Sequence, residues 1–224
     1  MFVPFSATEP PIQILAGPPD PTAPHVLAFC ERISPGARPV RLPIRPEPGC
    51  DVRECFQNVR RKVEKEGGRI RYGWVLWEWP RVFIEAEHHA VYESADGPPW
   101  LDLTPPMVED PQVARLFLPD DSAVHDFDNP DSRRDNIRQA LAQDTQIDEY
   151  LQLAADLAEI MLRTPGTGMV PVSGPDASRV HFIAKRTSQL KREIALKYTP
   201  QGAPCFCGSG RKFKRCHGQR RELL

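Results

Sequence analysis

The sequence has no apolar run of the roughly 20 residues that a helix needs to cross a bilayer, so no membrane span is predicted. The N-terminus lacks the basic segment and long apolar stretch of a secretory signal, and we therefore expect a cytoplasmic protein with reduced thiols. Cysteine is scarce, with 6 residues in 224. In a reducing compartment these are expected to be metal ligands, a nucleophile or core residues before disulfides.

A large excess of charge of one sign is also absent. The 29 Lys and Arg nearly balance the 30 Asp and Glu, and the formal net charge of -1 argues against a protein that coats nucleic acid over its whole surface. The charge is nevertheless uneven, because residues 185–221 are strongly basic with a single acid, Glu193, whereas acids outnumber bases between residues 85 and 131. A basic tail behind an acidic body predicts that the tail contacts an anionic or polar partner.

Local signals predict one helix in the first half of the chain. Asp51 and Glu54 have the spacing of a capping box, with Asp51 as the N-cap. Apolar residues then recur at helical spacing, at Val52, Cys55, Phe56, Val59 and Val63. The pair Gly67-Gly68 ends this helix. Before it, residues 1–49 are rich in proline, which favours extended loop and edge strand.

After this helix the sequence is rich in aromatic and β-branched residues between turns that contain proline or glycine, which is typical of antiparallel strands. The predicted strands are residues 69–79, 81–93 and 100–104. Residues 105–130 are predicted to be irregular connections. Helical patterns return at 132–163 and 178–198.

The C-terminal tail contains a compact set of soft metal ligands. Cys205 and Cys207 stand one residue apart, and a Gly-Ser-Gly turn separates them from the adjacent Cys216 and His217. Three thiolates and one imidazole suit tetrahedral zinc, and four protein ligands leave no open position for water. A structural zinc site is therefore predicted, in which metal binding supplies most of the folding free energy of the tail. Four basic residues surround the ligands: Arg211, Lys212, Lys214 and Arg215.

Residues 204–218 resemble the SEC-C motif, best known at the end of the SecA translocation ATPase. The resemblance implies a Zn²⁺ cofactor on the four ligands above and a protein partner of the chaperone or ribosome-associated kind. Nucleic acid is a weaker expectation, because Phe206 and Phe213 give the motif fewer aromatic residues than dedicated single-strand binders use for stacking. We expect this module to share no core with the predicted strands.

A second group of residues, Cys55, His89 and Asp102, could form a thiol site. Cys55 falls in the first turn of the predicted helix, where unpaired N–H groups favour a thiolate. His89 would accept the thiol proton and Asp102 would hold the imidazole, as in a catalytic triad. Strict alternation along the strand puts His88, not His89, on the apolar face, so the choice of histidine stays open. The alternative is that Cys55 is a buried core cysteine.

The segments His89–Glu93 and Trp100–Pro105 resemble the His-Ala-aromatic and Trp…Asp-Pro-Thr block of transglutaminase-like and papain-like thiol enzymes. In those enzymes a cysteine opens a helix, and the histidine and aspartate lie on neighbouring strands. The resemblance covers residues 50–105 and implies His89 as the base. It also implies acyl transfer: hydrolysis of a peptide or amide, deamidation, or cross-linking.

These patterns predict an α+β fold, in which a helix packs on a small papain- or transglutaminase-like antiparallel sheet and is followed by helices and a C-terminal zinc knuckle. The expected divisions are an α+β body at 1–130, a helical segment at 131–200 and the SEC-C zinc-binding module at 201–224. The first functional hypothesis is a zinc-binding protein that docks on a protein partner through its basic knuckle. The alternative is a cysteine-dependent acyl-transfer enzyme that uses Cys55, His89 and Asp102. Contact between the Cys55 sulfur and a histidine ring would favour the enzyme.

Overall fold

Four helices and six antiparallel strands form an α+β fold in the part of the chain that the computed structural model describes, residues 16–106, 114–129, 133–164 and 172–219. The helices are α1 (Pro24–Ile33), α2 (Cys55–Glu66), α3 (Thr145–Arg163) and α4 (Gly174–Tyr198). The strands are β1 (Val40–Pro43), β2 (Arg69–Trp79), β3 (Phe83–Ser94), β4 (Gly97–Leu101), β5 (Ala114–Pro119) and β6 (Ile137–Ala140). The predicted α+β class is confirmed. None of these helices combines the length and the apolar character that a membrane span requires.

The hairpin of β2 and β3 lies at the centre of the sheet. Its strands pair without interruption from Arg69–Glu93 to Trp79–Phe83, and the predicted strand at 69–79 is confirmed as β2. The strand order is β1-β5-β2-β3-β4, and β6 also pairs with β3. Successive side chains of β2 serve opposite faces, because Leu76 packs with the buried residues of α1 whereas Val75 packs with those of β1 and β5.

The prediction of irregular structure at 105–130 is wrong for residues 114–119, which form β5 between β1 and β2. Three consecutive apolar residues of this strand, Leu116, Phe117 and Leu118, are fully buried. A strand covered on both faces has no alternation of apolar and polar residues, and alternation was the signal that the prediction needed.

Two further predicted boundaries change. The helical prediction at 132–163 is wrong for residues 137–140, which form β6, and α3 starts only at Thr145, where the Asp144 side chain accepts a hydrogen bond from the Gln146 N–H. The strand predicted at 100–104 is displaced to Gly97–Leu101 and runs through Pro98 and Pro99. Proline is tolerated there because β4 is the last strand in the sheet order, where an N–H can be lost without breaking a ladder on both sides.

One edge of β3 is only partly paired. β6 pairs with residues 83–86 and β4 with residues 92–94, so none of the described strands pairs with residues 87–91 on this edge. The start of α2 and the segment 104–106 lie beside this gap and line one cleft with residues 87–89. This gap leaves room for the start of α2 next to the middle of β3.

The C-terminal residues pack into a core instead of standing apart. Cys205, Phe206 and Phe213 belong to one buried cluster with Trp79 and Phe83 of the central hairpin, together with residues of α3 and α4. The expectation that the tail shares no core with the strands is therefore wrong. Burial of two aromatic rings outside the ligand set gives the tail an apolar contribution to its stability in addition to the metal.

Candidate active site and metal centre

Cys55 is the first residue of α2, so its place in the first helical turn is confirmed, but the predicted cap is wrong. The N-cap residue is Glu54 and makes no side-chain cap. Asp51 lies outside the helix because the buried Asn58 side chain binds its main chain: the Asp51 N–H donates to Asn58 Oδ1 at 3.0 Å, and Asn58 Nδ2 donates to the Asp51 carbonyl at 2.8 Å. Arg53 in the intervening turn adopts a left-handed conformation with φ 64°, which is unfavourable for a residue with a side chain.

The structure brings Cys55, His89 and Asp102 together at the gap beside β3. His89 Nε2 lies 3.1 Å from Asp102 Oδ2, and both side chains are almost completely buried. The Cys55 side chain interacts with the same ring and lines the same cleft. Because Asp102 occupies Nε2, Nδ1 is the nitrogen left for the thiol. The order thiol, imidazole, carboxylate is that of a catalytic triad.

His88 faces the other side of the sheet. Its ring lies 4.9 Å from the ring of Phe56 and 5.3 Å from that of Trp74, and its Nε2 contacts the Ala123 carbonyl at 2.6 Å. Alternation therefore placed His88 correctly on the apolar face. His89 meets Cys55 and Asp102 on the opposite face of β3, which is also buried at this point. No bulge is needed to turn His89 toward that face, because the β2–β3 register is continuous.

Asp102 is surrounded by positive and donor groups. Its Oδ1 accepts the Thr104 N–H at 2.8 Å, and Arg115 Nε lies 2.9 Å from Oδ2. The contacts of His89 and Arg115 with Oδ2 are close but not aligned as hydrogen bonds, so charge is their main component. Burial raises the pKa of Asp102, but the charges of His89 and Arg115 and the Thr104 N–H outweigh it and lower that pKa below 3.8.

The pKa of His89 moves in the opposite direction. Burial lowers it, but the negative charge of Asp102 and the interaction with Cys55 outweigh burial and raise the pKa of His89 well above 6.5. A raised pKa favours the protonated ring, so the surroundings of His89 favour an imidazolium between a carboxylate and a sulfur.

A cleft of about 650 Å³ opens on this group and is lined by both Cys55 and His89. Its wall includes Trp77, whose Nε1 donates to Glu87 Oε2 at 2.9 Å. Thr104 also lines the cleft, and its hydroxyl is buried without a hydrogen-bond partner among the described residues. A buried hydroxyl with no partner costs free energy unless a ligand or water pairs with it.

Sequence reasoning missed Arg115 and Thr104. Arg115 lies on β5, the strand predicted to be irregular, so no local signal placed it near the triad. Thr104 is only two residues from Asp102, and its position in the resembled block was the one signal that could have found it.

The second site is formed by Cys205, Cys207, Cys216 and His217, whose ligand atoms all lie within 4.8 Å of one another. His217 Nδ1 is 3.3 Å from Cys205 Sγ and 3.4 Å from Cys216 Sγ. Cys207 Sγ is 3.5 Å from Cys205 Sγ and 3.6 Å from Cys216 Sγ. A zinc tetrahedron with Zn–S of about 2.3 Å and Zn–N of about 2.0 Å has edges of roughly 3.5–3.8 Å. The four residues therefore fit a tetrahedral metal site.

The backbone around this site is curled by two glycines, Gly208 and Gly210, with φ 72° and 71°. Such left-handed conformations suit glycine, which explains the Gly-Ser-Gly turn. The Cys205 N–H donates to the Arg211 carbonyl at 2.9 Å and closes the loop. The Ser209 hydroxyl lies 3.3 Å from Cys207 Sγ and lowers the pKa of that thiol to about 6, which favours a metal-binding thiolate.

The basic residues beside the ligands point mostly to solvent. Arg211, Lys212, Lys214 and Arg215 are all exposed. Arg211 reaches Cys216 Sγ at 3.6 Å. Within residues 16–106, 114–129, 133–164 and 172–219, none of the four forms an ion pair with a carboxylate. They form a patch of exposed positive charge, here called the basic knuckle patch.

Comparisons with known proteins agree with the metal site. A family model for the SEC-C motif matches residues 203–219. A UPF0225 protein of Pectobacterium carotovorum subsp. carotovorum (strain PC1) is 30% identical over 113 residues, an alignment that covers 42% of this chain and 72% of the relative. No solved structure matches the chain. The papain- or transglutaminase-like similarity of the body is therefore not confirmed.

Proposed function

The chain belongs to the UPF0225 family, and we propose that it is a cysteine-dependent acyl-transfer enzyme in which Cys55 is the nucleophile, His89 the general acid–base and Asp102 the residue that orients the imidazole. The observation that supports this most directly is the buried contact of His89 with both Cys55 and Asp102 at the floor of a cleft. A thiol at the start of a helix, with a histidine and an aspartate on or beside adjacent strands, is also the arrangement of papain- and transglutaminase-like enzymes.

The proposed reaction begins with the Cys55 thiolate, which attacks the carbonyl carbon of an amide or ester. The carbonyl π electrons move to oxygen, and the tetrahedral oxyanion then collapses and breaks the bond to the leaving group. His89, as imidazolium, donates its proton to that leaving group, and a thioester with Cys55 remains. Water or an amine then attacks the thioester while His89 takes a proton, and the thiolate is restored. Hydrolysis, deamidation and cross-linking differ only in which molecule donates the acyl group and which molecule accepts it.

The start of α2 offers donors for the oxyanion. Helices leave their first N–H groups without intrahelical partners, and Cys55 and Phe56 occupy the first two positions of α2. Their N–H groups lie next to the sulfur, where an oxyanion forms, and preorganised donors at this point stabilise the transition state. The Thr104 hydroxyl, which has no hydrogen-bond partner among the described residues, lines the same cleft and is available to a polar group of the substrate.

The experiment that tests this proposal is acylation by p-nitrophenyl acetate, a small activated ester. Wild-type protein is expected to release a burst of about one nitrophenolate per chain and to carry an acetyl group on Cys55, identified by mass spectrometry. Cys55→Ser should lose the burst. Cys30→Ser is the matched control: Cys30 is also a buried helical thiol, but burial raises its pKa to about 11, so its loss should leave the burst unchanged. A burst that survives in Cys55→Ser would refute the assignment.

The four-ligand site is proposed to hold Zn²⁺ as a structural ion. Three thiols and one imidazole are the soft donor set that zinc prefers among the metals common in cells. With four protein ligands the ion has no position for a substrate, so its role is to hold the knuckle in shape. We place the protein in the cytoplasm, where free thiols such as these stay reduced.

A second function is favoured by the basic knuckle patch, which we propose docks on an acidic protein partner and so brings the thiol site to its target. Four exposed cations that have no ion-pair partner within residues 16–106, 114–129, 133–164 and 172–219 give a surface whose binding depends on charge. A chaperone or ribosome-associated partner is the kind implied by the SEC-C motif of SecA. The four cations lie within the C-terminal module that the sequence predicts at 201–224, so we assign the docking role to that module.

Docking through the patch predicts strong salt dependence. Proteins captured from a nuclease-treated extract of the source cells at about 50 mM salt should be released at about 500 mM, because screening shortens the range of the charges. A variant with all four patch cations changed to Gln should capture few of them. Changing two exposed cations elsewhere, Lys65 and Lys185, to Gln is the control and should have little effect. Capture that is equal at both salt concentrations would overturn the docking proposal, and so would capture from an untreated extract that disappears when the extract is treated with nuclease, which would assign the patch to nucleic acid.

A further inference from the structure

Asp102 contacts two different cations through one oxygen. Its Oδ2 lies 3.1 Å from His89 Nε2 and 2.9 Å from Arg115 Nε. Histidine gains and loses its proton in the working range of pH, whereas a guanidinium stays charged throughout. The carboxylate that orients the imidazole is therefore shared with a permanent positive charge.

Arg115 is held firmly in this position. It lies on β5, its side chain is only 11% exposed, and Nη2 donates to the Thr104 carbonyl at 3.3 Å. The guanidinium carbon lies 6.0 Å from the centre of the Trp77 ring. A planar group with contacts to Asp102, Thr104 and Trp77 has little freedom to leave the carboxylate, so its effect on Asp102 is constant.

Two consequences follow from Coulomb's law for the proton on His89. Arg115 keeps Asp102 ionised and fixed, which preserves the orientation of the imidazole. It also offsets part of the carboxylate charge and repels the imidazolium, which makes the proton easier to release. A general acid works best when its pKa lies near the working pH, and a buried imidazolium beside an uncompensated carboxylate would hold its proton too strongly.

We propose that Arg115 is a positioning residue of the thiol site, which fixes Asp102 and limits how strongly that carboxylate retains the proton of His89. The proposal rests on the proposed function, since release of this proton matters only if Cys55 performs acyl transfer. The charged and titratable groups that line the cleft or interact with His89 come from the turn before α2, from α2, β3 and β5, and from the residue after β4: Arg53, Cys55, Glu87, His88, Arg115 and Asp102. Arg115 is the permanently charged cation at Asp102, so its removal should raise the titration midpoint of His89.

The test follows the titration of His89 by NMR of histidine Cε1, with its signal assigned by comparison with His89→Asn. Arg115→Gln should move the midpoint of His89 upward by about one pH unit, because one positive charge near the ring is lost. Arg115→Lys keeps a positive charge and should stay close to the wild-type midpoint. Arg138→Gln is the matched control: Arg138 is similarly buried and pairs with Glu85 at 2.8 Å away from the triad, so its loss should not change the His89 midpoint.

A folded Arg115→Gln protein whose His89 midpoint is unchanged would overturn the proposal and leave Arg115 a structural residue. If Arg115→Gln does not fold, Arg115→Met supplies a second uncharged variant that can still pack on Trp77, and the same shift is expected of it. A shift of equal size in Arg115→Lys would also contradict the charge argument. The burst of p-nitrophenol from Cys55 is measured separately, so a wild-type protein without a burst removes the proposed function while the His89 titration still decides the effect of Arg115.

Discussion

Replacing His89 with asparagine is expected to slow acylation of Cys55 by p-nitrophenyl acetate by roughly 10²- to 10⁴-fold, the usual contribution of a general acid–base. The expected loss comes from removing the acid–base group beside the sulfur, which takes the thiol proton and favours attack by the thiolate. Loss of the same group as the proton acceptor of the second half of the reaction would slow the turnover that follows the burst, not the burst itself. The measurement is the rate constant of the nitrophenolate burst, with thermal unfolding recorded on the same samples.

His88→Asn is the control for this variant. His88 is the adjacent residue and is also buried, but its ring packs against Phe56 and Trp74 on the other face of the sheet. Its loss should destabilise the fold and leave the burst rate of folded protein within about threefold of wild type. Equal rate losses in the two variants would mean that both histidines act only through the fold, and Cys55 would then be a core cysteine.

The pKa shifts of His89 and Asp102 define the pH range in which this pair stabilises the fold. The pKa of His89 is raised above 6.5, so its contribution is complete below pH 6.5 and is lost as the pH rises through the raised folded value. The pKa of Asp102 is lowered below 3.8, so its contribution is complete above pH 3.8 and is lost as the pH falls through the lowered value. The difference in free energy of unfolding between wild type and His89→Asn should therefore be largest between pH 3.8 and 6.5.

Local signals in the sequence were sufficient wherever the contacts themselves are local. The four knuckle ligands lie within the 13 residues from Cys205 to His217, so their spacing alone predicts that they meet. The end of α2 at Gly67 and the whole of β2 were predicted for the same reason: a glycine stops the helix, and aromatic and β-branched residues continue the strand.

Alternation and local spacing did not predict several contacts between distant segments. Arg115 reaches Asp102 only because β5 lies between β1 and β2. The three consecutive buried residues of β5 gave no alternation from which a strand could be recognised. Alternation favoured His88, and His89 followed only from the resemblance to thiol enzymes. An alternation rule with one apolar face does not allow for the second buried face of β3 on which His89 lies. The helix start depended on Asn58, whose side chain competes for the main chain of Asp51.

Removal of zinc is the second change with a large expected effect. Purified protein should contain about one zinc per chain by elemental analysis, since the described part of the chain holds one cluster of four ligands. Cys207→Ser, or a strong chelator, should remove the metal and unfold the knuckle, because structural zinc supplies apparent binding free energies of about 10–16 kcal/mol in isolated zinc fingers. Cys50→Ser is the control, since Cys50 is a thiol outside the ligand set. Purified protein without zinc, or a chelator without effect on the knuckle, would contradict this prediction.

The shared core makes the effect of zinc extend beyond the ligands. Phe206 and Phe213 are almost fully buried in one cluster with Ile194 of α4 and with Trp79 and Phe83. Unfolding of the knuckle exposes these rings, and removing two buried aromatic side chains from a core costs on the order of 3–5 kcal/mol each. Amide exchange in α4 should therefore accelerate when zinc is removed, while exchange at the centre of the β2–β3 hairpin stays slow. Unchanged exchange in α4 after loss of the metal would show that the knuckle folds independently and that its aromatic contacts with the core contribute little to stability.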